Sequence, residues 1–153
     1  MNKPHILTLV LEKLQEEMDS RRKVSKATRE QGNDPESQAK SKYDTLSIEE
    51  NYLADGLAQM AVSSAQAIEA LERLTLHEFA ANEPISVGAL IELEFSDGRE
   101  WFFLTPSGGG TEVIDGENHI TVITPESPLG YQLLGACIGD RTDSPQARIL
   151  RVL

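Results

Sequence analysis

The sequence predicts an α+β fold: an N-terminal antiparallel coiled-coil helical hairpin over residues 1–76, then a small antiparallel-sheet domain with one short helix over residues 84–153. Three observations carry this. Apolar residues recur at steps of three and four up to about Leu76 and change to strand-like runs beyond it. The turn formers Gln31-Gly32-Asn33-Asp34-Pro35 interrupt the helical pattern once. Asp-Gly pairs at 97–98 and 115–116 stand where two β-hairpins would turn.

Taken in order, Leu7, Leu11, Leu14 and Met18 form one stripe of a first helix. After the turn, Tyr43, Leu46, Leu53, Leu57, Met60, Ala67, Leu71 and Leu74 continue a seam on which Glu50 and Ser64 also fall, and a period near 3.5 kept this long is that of a coiled coil. Two helices joined by so short a turn run antiparallel. An arm of about 27 residues would be about 40 Å long, its tip near residues 32–37. His77 to Pro84 reads as a linker.

In the second half, Leu90–Phe95 and Glu100–Leu104 form a hairpin about Asp97-Gly98, a pair suited to positive φ. Thr111–Ile114 and Asn118–Ile123 form another about Asp115-Gly116. The intervening Gly108-Gly109-Gly110 lacks the following helix, Lys and Ser/Thr of a phosphate loop and reads as a connection. Ser127 is an N-cap followed by Pro128 at the first helical position. Leu129, Leu133 and Leu134 give that short helix its apolar face, Gly130 permits close approach to the sheet, and Gly135 ends it. Arg148–Leu153 supplies a last strand, with Ile149 and Val152 inward.

Composition excludes several classes. The net charge is −11, from 14 cations against 25 anions, which opposes general coating of duplex nucleic acid. Most of that excess lies beyond residue 75, where 4 cations meet 12 anions; residues 21–42 hold seven cations against three anions and are locally +4. One cysteine, Cys137, allows no internal disulfide, and His5, His77 and His119 lack metal-ligand spacing. No apolar run reaches the length of a membrane span, so a cytoplasmic protein with no membrane partner is expected. Nucleophile elbows, Walker loops and paired helical histidines are missing, so the expectation is an accessory factor with no cofactor of its own.

The specific signal is Ser127-Pro128-Leu129-Gly130-Tyr131-Gln132-Leu133-Leu134-Gly135-Ala136-Cys137-Ile138-Gly139-Asp140. Nine of its positions, Ser127, Pro128, Leu129, Gly130, Leu133, Leu134, Gly135, Gly139 and Asp140, match the pattern Ser-Pro-(Leu/Ile)-Gly-x-x-Leu-Leu-Gly-x-x-x-Gly-Asp, and the stretch resembles the C-terminal domain of the bacterial Gre (GreA/GreB) transcript-cleavage factors. The resemblance extends to the order of parts, a helical hairpin followed by a small domain related to FK506-binding proteins.

That resemblance implies a monomeric transcription elongation factor with RNA polymerase as partner. Ser127, Pro128, Leu129, Gly130 and Asp140 would belong to the polymerase-binding part, although cap, proline and turn chemistry also account for several of them without a partner. The hairpin would enter the secondary channel, with Arg21, Arg22, Lys23, Lys26, Arg29, Lys40 and Lys42 meeting nascent RNA and other nucleic acid of the transcription bubble, or else forming a plain solvated face. At the tip, Asp34 and Glu36 would help hold a magnesium ion in the polymerase active centre and promote cleavage of backtracked RNA.

The family's tip reads Gly-Asp-x-x-Glu-Asn, whereas this chain has Gly32-Asn33-Asp34-Pro35-Glu36-Ser37, with carboxylates two apart instead of three. Asp34 also suits an N-cap before Pro35, and Glu36 a first helical turn. Asp44 is a secondary acidic candidate. The altered tip motivates a second reading, a non-catalytic regulator that occupies the channel. A remote third is a peptidyl-prolyl isomerase, whose aromatic pocket would have to come from Trp101, Phe102 and Phe103.

Overall fold

A computed structural model describes residues 1–32 and 45–153, with the backbone alone at residues 25, 28–32, 45–51 and 54. The predicted tip, with Asp34, Glu36, Lys40, Lys42 and Asp44, lies outside the described residues, as does Tyr43. The elements are α1 (Lys3–Gly32), α2 (Thr45–Glu72), β1 (Leu90–Glu94), β2 (Arg99–Leu104), β3 (Glu112–Asp115), β4 (Asn118–Ile123), α3 (Pro128–Leu133), β5 (Arg141–Asp143) and β6 (Gln146–Val152).

The strands form one six-stranded sheet in the order β3-β4-β2-β1-β6-β5. Every pairing is antiparallel except β2 with β4, which is parallel, so the sheet is mixed where the sequence predicts an antiparallel one. The second hairpin causes this. It inserts β4 beside β2 and leaves β3 at the edge, because the glycine-containing stretch 105–111 first carries the chain past the place β4 will take.

Both faces of the sheet are covered, and each has its own core. Ile91, Leu93, Phe102, Leu104, Ile123 and Ile149 pack with Leu133 of α3 on one face. Leu90, Trp101, Phe103, Ile120 and Val122 pack on the other with Ile6, Val10 and Leu14 of α1 and Leu71 of α2. Alternation along β1 and β2 feeds both cores, which is why their sequences are nearly continuous in apolar residues. A bulge opposite Glu92 and Leu93 lets Ile149 and Val152, three residues apart, face the same core.

By packing, the chain divides into a unit of Met1–Leu14 with Ala67–Leu153 and a second unit of Gln15–Gln66. The helix ends adjoining residues 14 and 67 therefore belong with the sheet, a different division from one at residue 76. In the first unit Lys3 donates to the His77 carbonyl, while Leu14 and Leu71 both approach Gly108, so the two helix segments there run in opposite directions.

The helix faces differ in detail from the predicted stripes. Among the described residues of α1, Ile6 and Val10 join Leu14 and Met18 as the buried apolar side chains, with Leu7 and Leu11 half-buried against the same core, since the early turns of that helix meet the sheet. Among the described residues of α2 the inward set is Leu57, Ala61, Ser64, Ala67, Ile68 and Leu71, while Leu53 and Met60 are 57 % and 54 % exposed. Leu134 is also turned outward, because it has left the helix for an extended conformation. Gly98 turns the first hairpin without a positive φ; Phe95 N–H donates to its carbonyl at 2.8 Å, closing a four-residue loop. The three-residue β5 is too short to show a periodicity in the sequence.

Candidate functional site

The Ser127–Asp140 segment is built by local hydrogen bonding. Ser127 Oγ accepts from Gly130 N–H at 3.1 Å and donates to the Thr124 carbonyl at 2.7 Å, so one hydroxyl caps α3 and fixes its approach to β4. Gly130 is buried, and a Cβ there would lie 2.0 Å from the Thr124 carbonyl oxygen, which only glycine tolerates. Gly135 adopts φ +84° and donates to Ile85 O at 2.8 Å. Asp140 closes the segment, its carboxylate accepting from Cys137 N–H at 2.8 Å. Leu129 is half-buried against the core, and Pro128 is exposed at the first helical position.

The motif positions thus mostly hold the segment together, and the residues it presents are those between them. Tyr131 is 77 % exposed, Leu134 46 % and Ile138 40 %, giving three large apolar side chains to solvent within eight residues of chain. The variable positions of the motif carry no sequence signal for Tyr131 or Ile138, and the helical pattern places Leu134 on the inner face. Gln132 is a further residue that pattern reading missed. Its amide donates to Ser144 O at 2.8 Å and accepts from Asp143 N–H at 2.7 Å, tying α3 to the β5–β6 turn.

On α1, Arg22, Lys23 and Lys26 are exposed. Arg21 is different: its guanidinium donates to Ser64 Oγ of α2 at 2.8 Å and pairs with Glu17 at 3.4 Å. The side chain of Arg29 lies outside the described residues.

Around the 77–84 segment, Lys3 donates to the His77 carbonyl and lies 4.8 Å from the Phe79 ring centroid. Burial pushes the Lys3 ammonium below its usual range, against the opposing pull of Glu78 and Glu83. Glu83 accepts from Ala80 N–H at 3.0 Å and meets His77 Nε2 at 3.0 Å; these bonds, the backbone one first, hold its carboxyl below the usual carboxylate range. A cavity of about 760 Å³ beside this cluster is lined by Met1, Lys3, Pro4, His77, Phe79 and Leu153, among others, and contains no nucleophile paired with a base.

Among the described residues, no group of three or more His, Cys, Asp and Glu is placed to hold a metal ion. No described helix is long and apolar enough to cross a membrane. Trp101 and Phe103 are buried in one core and Phe102 in the other, so these three aromatics do not converge on an open pocket.

No family model matches the chain, and no curated protein matches it. Among solved structures, GreA factor homologue 1 of Thermus thermophilus is similar at 21 % identity over 94 % of each chain, with a TM-score of 0.37. The factor of the same name from Thermus aquaticus is similar at 20 % identity, over 94 % of this chain and 90 % of that one, with the same TM-score of 0.37.

Proposed function

We propose that the protein is a Gre-like accessory factor of bacterial RNA polymerase, docking through the surface built on Ser127–Asp140 and reaching into the secondary channel with the segment that joins α1 to α2. The observation that carries this is the Ser127–Asp140 segment itself. Its Gre-type residues form one hydrogen-bonded scaffold that turns Tyr131, Leu134 and Ile138 outward. Exposed aromatic and aliphatic anchors on a rigid support are the chemistry of a protein-docking surface.

On this reading Asp34 and Glu36 act at the polymerase active centre. Carboxylate oxygens are the donor type that suits magnesium, and the polymerase would contribute the ion and the remaining ligands. Water attack on the RNA is then the polymerase's chemistry, and this chain supplies only charge and position. Arg22, Lys23 and Lys26 are exposed for contact with RNA phosphates, whereas Arg21 mainly joins α1 to α2.

The test uses a stalled, backtracked elongation complex with the purified protein. RNA shortening above the polymerase's own rate supports the cleavage role, and its loss in Asp34→Ala with polymerase binding retained assigns the residue. Tyr131→Ala combined with Leu134→Ser should weaken polymerase binding about tenfold or more without loss of folding. Unchanged binding would remove the docking assignment. The two-residue spacing of the tip carboxylates favours one competing reading, a channel-occupying regulator without cleavage, which predicts binding and no shortening.

A further inference from the structure

Beyond residue 75 the chain is acidic, and its four cations there, Arg99, Arg141, Arg148 and Arg151, all fall on one part of the sheet. The strand register shows how. Arg99 of β2 stands opposite Glu94 of β1, Glu94 opposite Arg148 of β6, and Arg148 opposite Arg141 of β5, so these four side chains share a face in one row across four strands. Arg151 stands opposite Glu92 on the same face. Two of the four arginines are matched locally, Arg99 by Glu94 at 3.4 Å and Arg151 by Glu92 at 2.7 Å. Arg141 and Arg148 are exposed, and among the described residues neither lies within salt-bridge distance of a carboxylate. Like charges directly opposite on neighbouring strands repel, so this pair stays uncompensated until an anion joins it.

A cavity of about 490 Å³ lies at the pair. Of the residues that line it, Thr142 and Ala147 are buried on the α3 side of the sheet, and neither Leu129 nor Leu133 of α3 takes part, so it opens on the arginine face. Its polar lining there comprises Arg141, Arg148, Glu94, Asp143, Ser96 and Gln146. Glu94 is already paired, which leaves Asp143 as the one unmatched carboxylate of that lining. Asp97 and Asp140 adjoin the lining in sequence, and the Asp140 carboxylate is engaged by Cys137 N–H at 2.8 Å.

Counted together, four acids here meet Arg99, Arg141 and Arg148, so long-range attraction does not bring an anion in, and a polyanion is repelled. The short-range chemistry is different. Two planar guanidinium forks on adjacent strands, with a hydroxyl and an amide beside them, suit the several oxygens of one compact phosphate group. We propose that this cavity binds a small phosphate compound, inorganic phosphate or a phosphate monoester, through Arg141 and Arg148. Asp143 limits the affinity. The site stands independently of the polymerase reading.

The test is a chemical-shift titration of the full chain at about pH 8, where phosphate is a dianion, and about 50 mM salt. With inorganic phosphate or adenosine monophosphate, saturable shifts confined to residues 94–96 and 141–148 are expected, with a Kd of about 1 mM or below. Equal affinity for the two probes assigns free phosphate as sufficient, and tighter binding of the monophosphate assigns an ester. Arg141→Gln and Arg148→Gln should each weaken binding about tenfold or more, and Asp143→Asn should tighten it about threefold. All three side chains are exposed, so the circular dichroism spectrum should be unchanged in each variant. Shifts that fail to saturate with either probe overturn the proposal. So do folded arginine variants that bind as the wild type does, an Asp143→Asn variant that binds no tighter, or a single-stranded oligonucleotide that binds more tightly than both probes.

Discussion

At the scale of single residues, the glycine and serine of the α3 entry are set by distances with little slack. A Cβ at position 130 would meet a backbone carbonyl at 2.0 Å, so Gly130→Ala forces the 124–130 loop apart and should cost about 2–3 kcal/mol, read as a lower urea midpoint at unchanged slope. Glu83 gives a pH signature. Its folded carboxyl titrates below the unfolded one, so the stability it adds is present above the unfolded pKa and lost as pH falls through the folded pKa. Glu83→Gln should lower the melting temperature at pH 7, and the difference from wild type should close as pH drops below about 4. Ser127, Pro128 and Gly130 were legible in the sequence because a cap and a close approach are local chemistry. Tyr131 and Ile138 were not, because exposure at a variable position depends on which way the folded segment faces.

At the scale of elements, both helices and most strands could be read from periodicity, while the helix seam could be read only in part, as at Leu14, Met18, Ser64, Ala67 and Leu71. Leu53 and Met60 are large and correctly spaced, yet both are exposed, and Ala61, off the predicted seam, is buried beside Ser64, which lies on it. Small residues there let α1 come near enough for Arg21 to reach Ser64 Oγ at 2.8 Å, and that polar contact is invisible to a count of apolar residues. Two substitutions separate the alternatives by thermal unfolding. Met60→Glu should change stability by no more than about 0.5 kcal/mol, whereas Ala61→Leu should cost about 1–3 kcal/mol by overpacking. A seam through Met60 would reverse that order. The parallel β2–β4 pairing was hidden for another reason: Asp-Gly signals locate hairpins but carry no information about where in the sheet a hairpin inserts.

At the scale of the whole chain, a charge lies within the layer of apolar residues. Glu92 is 6 % exposed in the middle of the sheet, and Arg151 Nε stands 2.7 Å from its Oε2, although the N–H is not aimed well enough to make a hydrogen bond. The guanidinium also lies 5.7 Å from the centroid of Trp101, the chain's one tryptophan. Arg151→Ala should cost about 2 kcal/mol, less than a fully buried pair because the arginine side chain is 61 % exposed, and should shift tryptophan emission in the folded state. Replacing both members by leucine should recover most of that loss.

The core shared by Ile6 and Val10 with Leu90, Trp101, Phe103 and Ile120 joins positions 80 or more residues apart in the chain. During synthesis those first turns of α1 leave the ribosome long before any strand they pack against, and β1 itself lacks its neighbour β6 until nearly the whole chain has been made. The sheet unit therefore cannot close from its N-terminal end onward. Within the unit of residues 15–66, by contrast, the bond from Arg21 to Ser64 joins positions 43 residues apart, so its loop closure is the shorter one.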